Sequence, residues 1–292
     1  MRVKKIPDFF IIGAPKCGTT SLALWLSEHP ELFMCDPKEP HYYSPDLVAQ
    51  PFVDNRAEYE RLFRSAGTER RIGEASTGYL RSRVAVPRIL SDRPDARLIV
   101  CLRNPVDMAP SVHAQLLKGG RLRERDFETA WQKQESLVTP SGTECIRDVC
   151  TLGIQVERVL SVAPRDQVLF VLQEDLRTMT RNVYKNVLDF LDVDDDGRTK
   201  FPAVNTRVYP RSIGIARATG VAYRIKRRLG ISKSLGLGRL IGKINHQSAR
   251  LDPAPLSSAV RRSLVDTFRV DIELLEGLIG RDLSHWLYTH AN

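Results

Sequence analysis

No stretch of this 292-residue chain approaches the roughly 18 consecutive apolar residues that a membrane-spanning helix requires. The basic start Met1-Arg2-Val3-Lys4-Lys5 is interrupted by Pro7 and Asp8, and Phe9 to Ala14 is too short for the core of a secretory signal. The expectation is a cytoplasmic protein, with peripheral membrane contact left open. Cysteine is scarce: Cys17, Cys35, Cys101, Cys145 and Cys150 form no C-x-x-C pair and have no histidine pattern beside them. That argues against both a disulfide framework and a structural zinc, and no metal is expected. Aromatics make up only 7% and no arginine-rich tail is present, so the net charge of +9 implies an anionic partner without the pattern of a nucleic-acid binder.

Also missing is the lysine of a nucleoside-triphosphate loop. Phe9 to Ile12 reads as a buried strand entering Gly13-Ala14-Pro15-Lys16-Cys17-Gly18-Thr19-Thr20. The triphosphate signature G-x-x-x-x-G-K-[ST] puts lysine directly after the second glycine; here that position is Thr19, and the loop's lysine is Lys16. Backbone N–H groups at a helix N-terminus still suit an anion. Thr19 and Thr20 have hydroxyls for phosphate oxygens, or for a helix cap. Cys17 is read as a small residue packed beneath the turn, against the alternative of a thiol activated by the helix terminus.

Strand-like runs at Phe9–Ile12, Arg97–Leu102 and Gln167–Leu172 alternate with helical segments. The helices are expected at Thr19 to His29, around Val183, Val187, Leu188 and Leu191, and from Ser257 or Ser258 to Leu278. Such alternation calls for an α/β fold with a P-loop-like, mostly parallel sheet flanked by helices on both faces. Residues 1–292 read as one domain, with a helical, lid-like subregion over 203–250. The apolar-basic stretch Ile213 to Lys243 within it suits an amphiphilic substrate or anionic lipid, and equally an ordinary packed helix pair.

Two further segments carry chemistry. Arg103 leaves the end of a predicted strand, and Ser111 follows eight positions later near an expected helix start. Residues at that edge of a parallel sheet collect at the ligand crevice, where guanidinium and hydroxyl would grip a phosphate. Arg103 pairing with Asp107 and Ser111 capping a helix is the plainer alternative. In Pro37-Lys38-Glu39-Pro40-His41-Tyr42-Tyr43, Glu39 is a candidate general base, although most glutamates are simply solvated.

Taken in order, Ile12 to Leu22, Lys38 to Tyr43, Arg103-Asn104-Pro105 with Ser111, and Leu274 to Trp286 resemble the sulfotransferases that use 3′-phosphoadenosine 5′-phosphosulfate (PAPS), in particular the carbohydrate branch that includes the heparan sulfate enzymes. The resemblance implies that Gly13, Ala14, Pro15, Lys16, Cys17, Gly18, Thr19 and Thr20 wrap the 5′-phosphosulfate, and that Arg103 and Ser111 bind the 3′-phosphate. It makes Glu39 the general base, with His41 orienting it or touching the acceptor. The aryl and steroid branch uses a histidine further along, and His113, two residues past the second loop, is the alternative nominee for that base behind Glu39. Arg207 and Arg211 are further cofactor or acceptor contacts. The implied acceptor is a hydroxyl of a glycan, glycolipid or lipid-bearing metabolite; oligomeric state stays open. Two other classes remain in view: a kinase or NTPase with an atypical loop, and a basic nucleic-acid or membrane-binding protein.

Overall fold

The computed structural model describes residues 6–47, 53, 55–119, 121–133, 136–139, 142–202, 208–210, 246–248 and 256–288. Strand β1 (Phe9–Gly13) is buried at every position, as befits an unbroken apolar run covered on both faces. It sits centrally in a five-stranded parallel sheet with β2 (Leu32–Met34), β3 (Arg71–Ala75) and β4 (Arg97–Leu102). Strands β5 (Ser136–Thr139) and β6 (Gly142–Cys145) form a separate antiparallel pair, and β7 (Val168–Leu172) completes the main sheet against β4. The order is β2-β3-β1-β4-β7. The chain leaves β1 towards β2 and β3, then crosses to β4 and β7, so strand order reverses at β1. A crevice forms outside the carboxyl ends of strands at such a point. Strands β8 (Val208–Pro210) and β9 (His246–Ser248) pair antiparallel. The remainder of the expected lid over 203–250, with Arg207 and Arg211, lies outside the described residues.

Helices α1 (Thr19–Ser27), α2 (Arg56–Arg61), α3 (Ala85–Asp92), α4 (Pro105–Lys118), α5 (Phe127–Gln132), α6 (Ile146–Cys150), α7 (Leu152–Leu160), α8 (Gln173–Thr178), α9 (Thr180–Leu191) and α10 (Ser258–Ile279) flank this sheet. Helix α10 buries Leu264, Phe268, Ile272 and Leu275, the stripe its sequence period predicts. Helix α4 begins earlier than expected. Pro105 occupies its first turn, where the missing N–H costs nothing, and the Asn104 side chain caps it by accepting the Val106 N–H at 2.9 Å. Ser111 therefore lies inside the helix, not at its start. Pro110, also inside, removes one backbone hydrogen bond and disguises the helix in sequence.

Helix α7 is held by a carboxylate from elsewhere in the chain. Its N-cap, Thr151, makes no side-chain cap. Asp271 of α10 instead accepts the N–H groups of Gly153 (2.8 Å) and Ile154 (3.0 Å), satisfying donors that a helix start leaves open. Burial pushes the Asp271 carboxyl up and these amides pull it down, the burial effect being the larger. Asp271→Ala is expected to cost about 2–4 kcal/mol in urea unfolding, the cost of losing charged hydrogen bonds and stranding buried donors. Asp271→Asn, which keeps one acceptor oxygen, should recover part of that loss.

Candidate active site

All the predicted groups that the structure describes on the loops gather at the carboxyl edge of the sheet. From β1 the chain enters the Gly13–Thr20 loop. A Cβ on Gly13 would lie 2.6 Å from Leu80 Cβ and 3.1 Å from the Thr77 carbonyl, so only glycine lets this backbone approach its neighbour. Gly18 is the α1 N-cap at φ 89° and offers no side-chain acceptor to the first-turn N–H groups. That arrangement suits an anion. Lys16 holds φ 67°, a left-handed backbone that costs a non-glycine residue about 1–2 kcal/mol and is typical of ligand-binding loops. Cys17 is fully buried with its Sγ 3.4 Å from the Pro15 carbonyl. Burial drives its thiol well up, against weaker pulls from Arg103 and Lys16. It packs beneath the turn, as expected.

Arg103, at the end of β4, ties the two loops together. One of its terminal nitrogens donates to the Lys16 carbonyl at 3.2 Å and to Ser111 Oγ at 3.4 Å. The expected pair of guanidinium and hydroxyl is thus assembled, although Ser111 is 1% exposed. Asp107 lies 3.7 Å from Arg261. Behind this loop, Asn104 donates to the Trp286 carbonyl at 3.4 Å, and the Trp286 indole donates to Glu174 of α8 at 3.1 Å. The C-terminal motif that entered the sequence resemblance is a brace for the carboxyl ends of β4 and β7.

The third element follows β2. The Glu39 N–H donates to the Ala75 carbonyl at 2.9 Å, which docks its loop on the end of β3. Both Glu39 (φ 64°) and His41 (φ 55°) adopt left-handed backbone conformations. The Glu39 carboxylate receives Lys38 Nζ at 3.0 Å and the Thr77 hydroxyl at 3.2 Å on one oxygen, and His41 Nε2 at 3.2 Å on the other. Ser44 Oγ lies 3.4 Å from the opposite ring nitrogen of His41. Burial by itself would raise the Glu39 pKa, but the His41 hydrogen bond and the Lys38 charge overcome it and bring the group down to about 2. Thr77 joins this carboxylate to the anion loop, since its hydroxyl meets Glu39 while its carbonyl faces Gly13. His113 is placed differently. It is 1% exposed inside α4, with Nε2 2.9 Å from the Glu124 carbonyl and its ring edge-on to Phe127, which is the setting of a packed structural histidine.

Thr77 and Ser76 were not legible as site residues. Both follow β3, a strand whose sequence is disguised, and knowledge of that strand would have put them at the carboxyl edge. The family model for the sulfotransferase domain matches residues 6–201. The membrane-associated sulfotransferase kil1 of Dictyostelium discoideum is 30% identical over 106 residues, 36% of this chain and 22% of that protein. The heparan sulfate glucosamine 3-O-sulfotransferase 3B1 of Homo sapiens is 29% identical over 195 residues, 64% of this chain and 46% of that protein. The chain thus spans less than half the length of these relatives. A sulfotransferase crystal structure from Alicyclobacillus acidocaldarius matches with a TM-score of 0.70 at 27% identity, covering 97% of this chain and 100% of that one. A domain match over most of the chain, the shared fold and the loop geometry lead to one conclusion: this chain belongs to the sulfotransferase domain family.

Proposed function

We propose that this protein transfers a sulfuryl group from PAPS to a hydroxyl of a carbohydrate, glycolipid or lipid-bearing metabolite, with Glu39 as general base. The observation that carries this reading is the Glu39 carboxylate, which accepts the Thr77 hydroxyl while the Thr77 carbonyl faces Gly13 of the anion loop. PAPS supplies a sulfuryl group whose bond to the phosphate oxygen breaks as the acceptor oxygen bonds to sulfur, leaving adenosine 3′,5′-bisphosphate. Glu39 takes the hydroxyl proton. Lys16 and the loop N–H groups stabilise negative charge gathering on the leaving phosphate, and Arg103 with Ser111 holds the 3′-phosphate. The loop fits such a tail and disfavours a triphosphate, because Thr19 stands where that signature requires lysine.

A carbohydrate acceptor is supported by the relative named for heparan sulfate, and an anionic one by the net charge of +9. No helix among the described residues is long and apolar enough to cross a membrane. The test is a thermal-shift series with adenosine 3′,5′-bisphosphate, ATP and a short DNA duplex. The bisphosphate alone should stabilise, by about 2.7 kcal/mol at a hundredfold excess over Kd. Stabilisation by ATP or duplex without any by the bisphosphate would sink the proposal. A panel of alcohols with radiolabelled PAPS and mass spectrometry of the product then identifies the acceptor.

A further inference from the structure

Glu74 lies on β3, fully buried, with no part in the chemistry described above. One carboxylate oxygen accepts hydroxyl hydrogens from Tyr59 at 2.5 Å and from Tyr79 at 3.1 Å. Tyr79 in turn uses its phenolic oxygen to accept the backbone N–H of Tyr43 at 3.3 Å. Ser76, which interacts with both the Glu74 carboxyl and Tyr79, accepts the backbone N–H of His41 at 3.2 Å. The rings repeat the connection: Tyr79 stands edge-on to His41 at 6.3 Å and to Tyr43 at 5.9 Å. Two of the hydroxyls around this carboxylate therefore hold the backbone of residues 41–43, next to the two residues whose left-handed conformations aim Glu39 and His41.

A buried carboxylate is expensive unless its hydrogen bonds are made, and one apolar residue of similar size would fill the space on β3 without that cost. What an apolar side chain cannot do is fix hydroxyl rotors. By accepting the Tyr79 O–H hydrogen bond, Glu74 turns the phenolic lone pairs towards the Tyr43 N–H. We propose that Glu74 is a positioning residue for the base loop: through Tyr79 and Ser76 it clamps the main chain at His41 and Tyr43, and so holds the Glu39 carboxylate at the anion loop. This rests on the proposed role of Glu39, but the clamp itself is measurable without turnover.

The test is amide hydrogen exchange, resolved by residue, on the parent, Glu74→Gln and Tyr79→Phe. Tyr79→Phe keeps the ring packing and removes only the phenolic link, so it serves if Glu74→Gln does not fold. Exchange should accelerate at least about tenfold at His41 and Tyr43 in Glu74→Gln and at Tyr43 in Tyr79→Phe, while Gly13 to Thr20 and α10 keep the parent's rates and affinity for adenosine 3′,5′-bisphosphate stays within about twofold. Tyr59→Phe, which leaves both N–H contacts in place, should change these two amides less. With an acceptor in hand, kcat should fall at nearly constant donor KM. Parent-like exchange at His41 and Tyr43, or acceleration spread evenly over the molecule, would overturn the clamp whatever the turnover.

Discussion

Glu39→Gln is expected to lower kcat by about 10²–10⁴, the range that a general base contributes, while leaving affinity for adenosine 3′,5′-bisphosphate within about threefold. Glutamine keeps the shape and one oxygen for Lys38 and Thr77 but cannot take a proton. A pKa of about 2 makes the resting carboxylate a weak base, which looks ill-matched to its task. The mismatch belongs to the enzyme without its donor. In the proposed binding mode a phosphosulfate tail at the loop would add negative charge beside Glu39, and negative charge raises a carboxyl pKa just as the Lys38 cation lowers it. The inactive, protonated form of the free enzyme accumulates only as pH falls through about 2, so Glu39 leaves kcat/KM flat between pH 5 and 8. His41→Asn removes the largest of the effects that lower this pKa, so the acid limb should move to higher pH. Turnover of Glu39→Gln at the parent's rate on the acceptor found by the panel would remove Glu39 from the chemistry.

How far the site could be read from sequence depended on where its partners lie in the chain. Strands β1, β4 and β7 were legible because each is an unbroken apolar run, and Phe9 to Gly13 is buried throughout. Strand β3 was not, because Arg71-Ile72-Gly73-Glu74-Ala75 reads as polar. Its Glu74 meets hydroxyls of Tyr59 and Tyr79, of which Tyr59 lies fifteen residues away where no local window reveals it, and its Gly73 makes room for the Phe9 ring. With β3 hidden, Ser76 and Thr77 had no edge to belong to. Lys16, Glu39 and Arg103 are the proposed site residues that stand out in sequence, because each sits in a motif of contiguous residues. His113 shows the limit of such matching: two residues past Ser111 it looks available, yet α4 turns it into the packing against Phe127.

Lys16→Ala is expected to cost about 10²–10³ in kcat, the loss seen when one donor to developing negative charge is removed. Two properties of Lys16 have to be separated, its ammonium and its left-handed backbone at φ 67°. Alanine meets the same steric cost in that conformation as lysine does, so this variant isolates the charge. Lys16→Gly removes the charge and the strain together. If the ammonium is what matters, both variants lose turnover alike, while the glycine variant melts no lower than the parent because its loop conformation is no longer strained. Both should still bind adenosine 3′,5′-bisphosphate, since Arg103, Ser111 and the loop N–H groups remain and the product lacks the sulfuryl group nearest the reaction. Single-turnover rates with labelled PAPS, read beside calorimetric affinities for the bisphosphate, decide the matter. Parent-level transfer by Lys16→Ala would reduce the loop to a passive cradle, with its charge supplied elsewhere. Restored transfer in Lys16→Gly alone would instead assign the effect to backbone geometry. A lower rate at undiminished stability in the glycine variant is the signature expected of a strained loop retained for its chemistry.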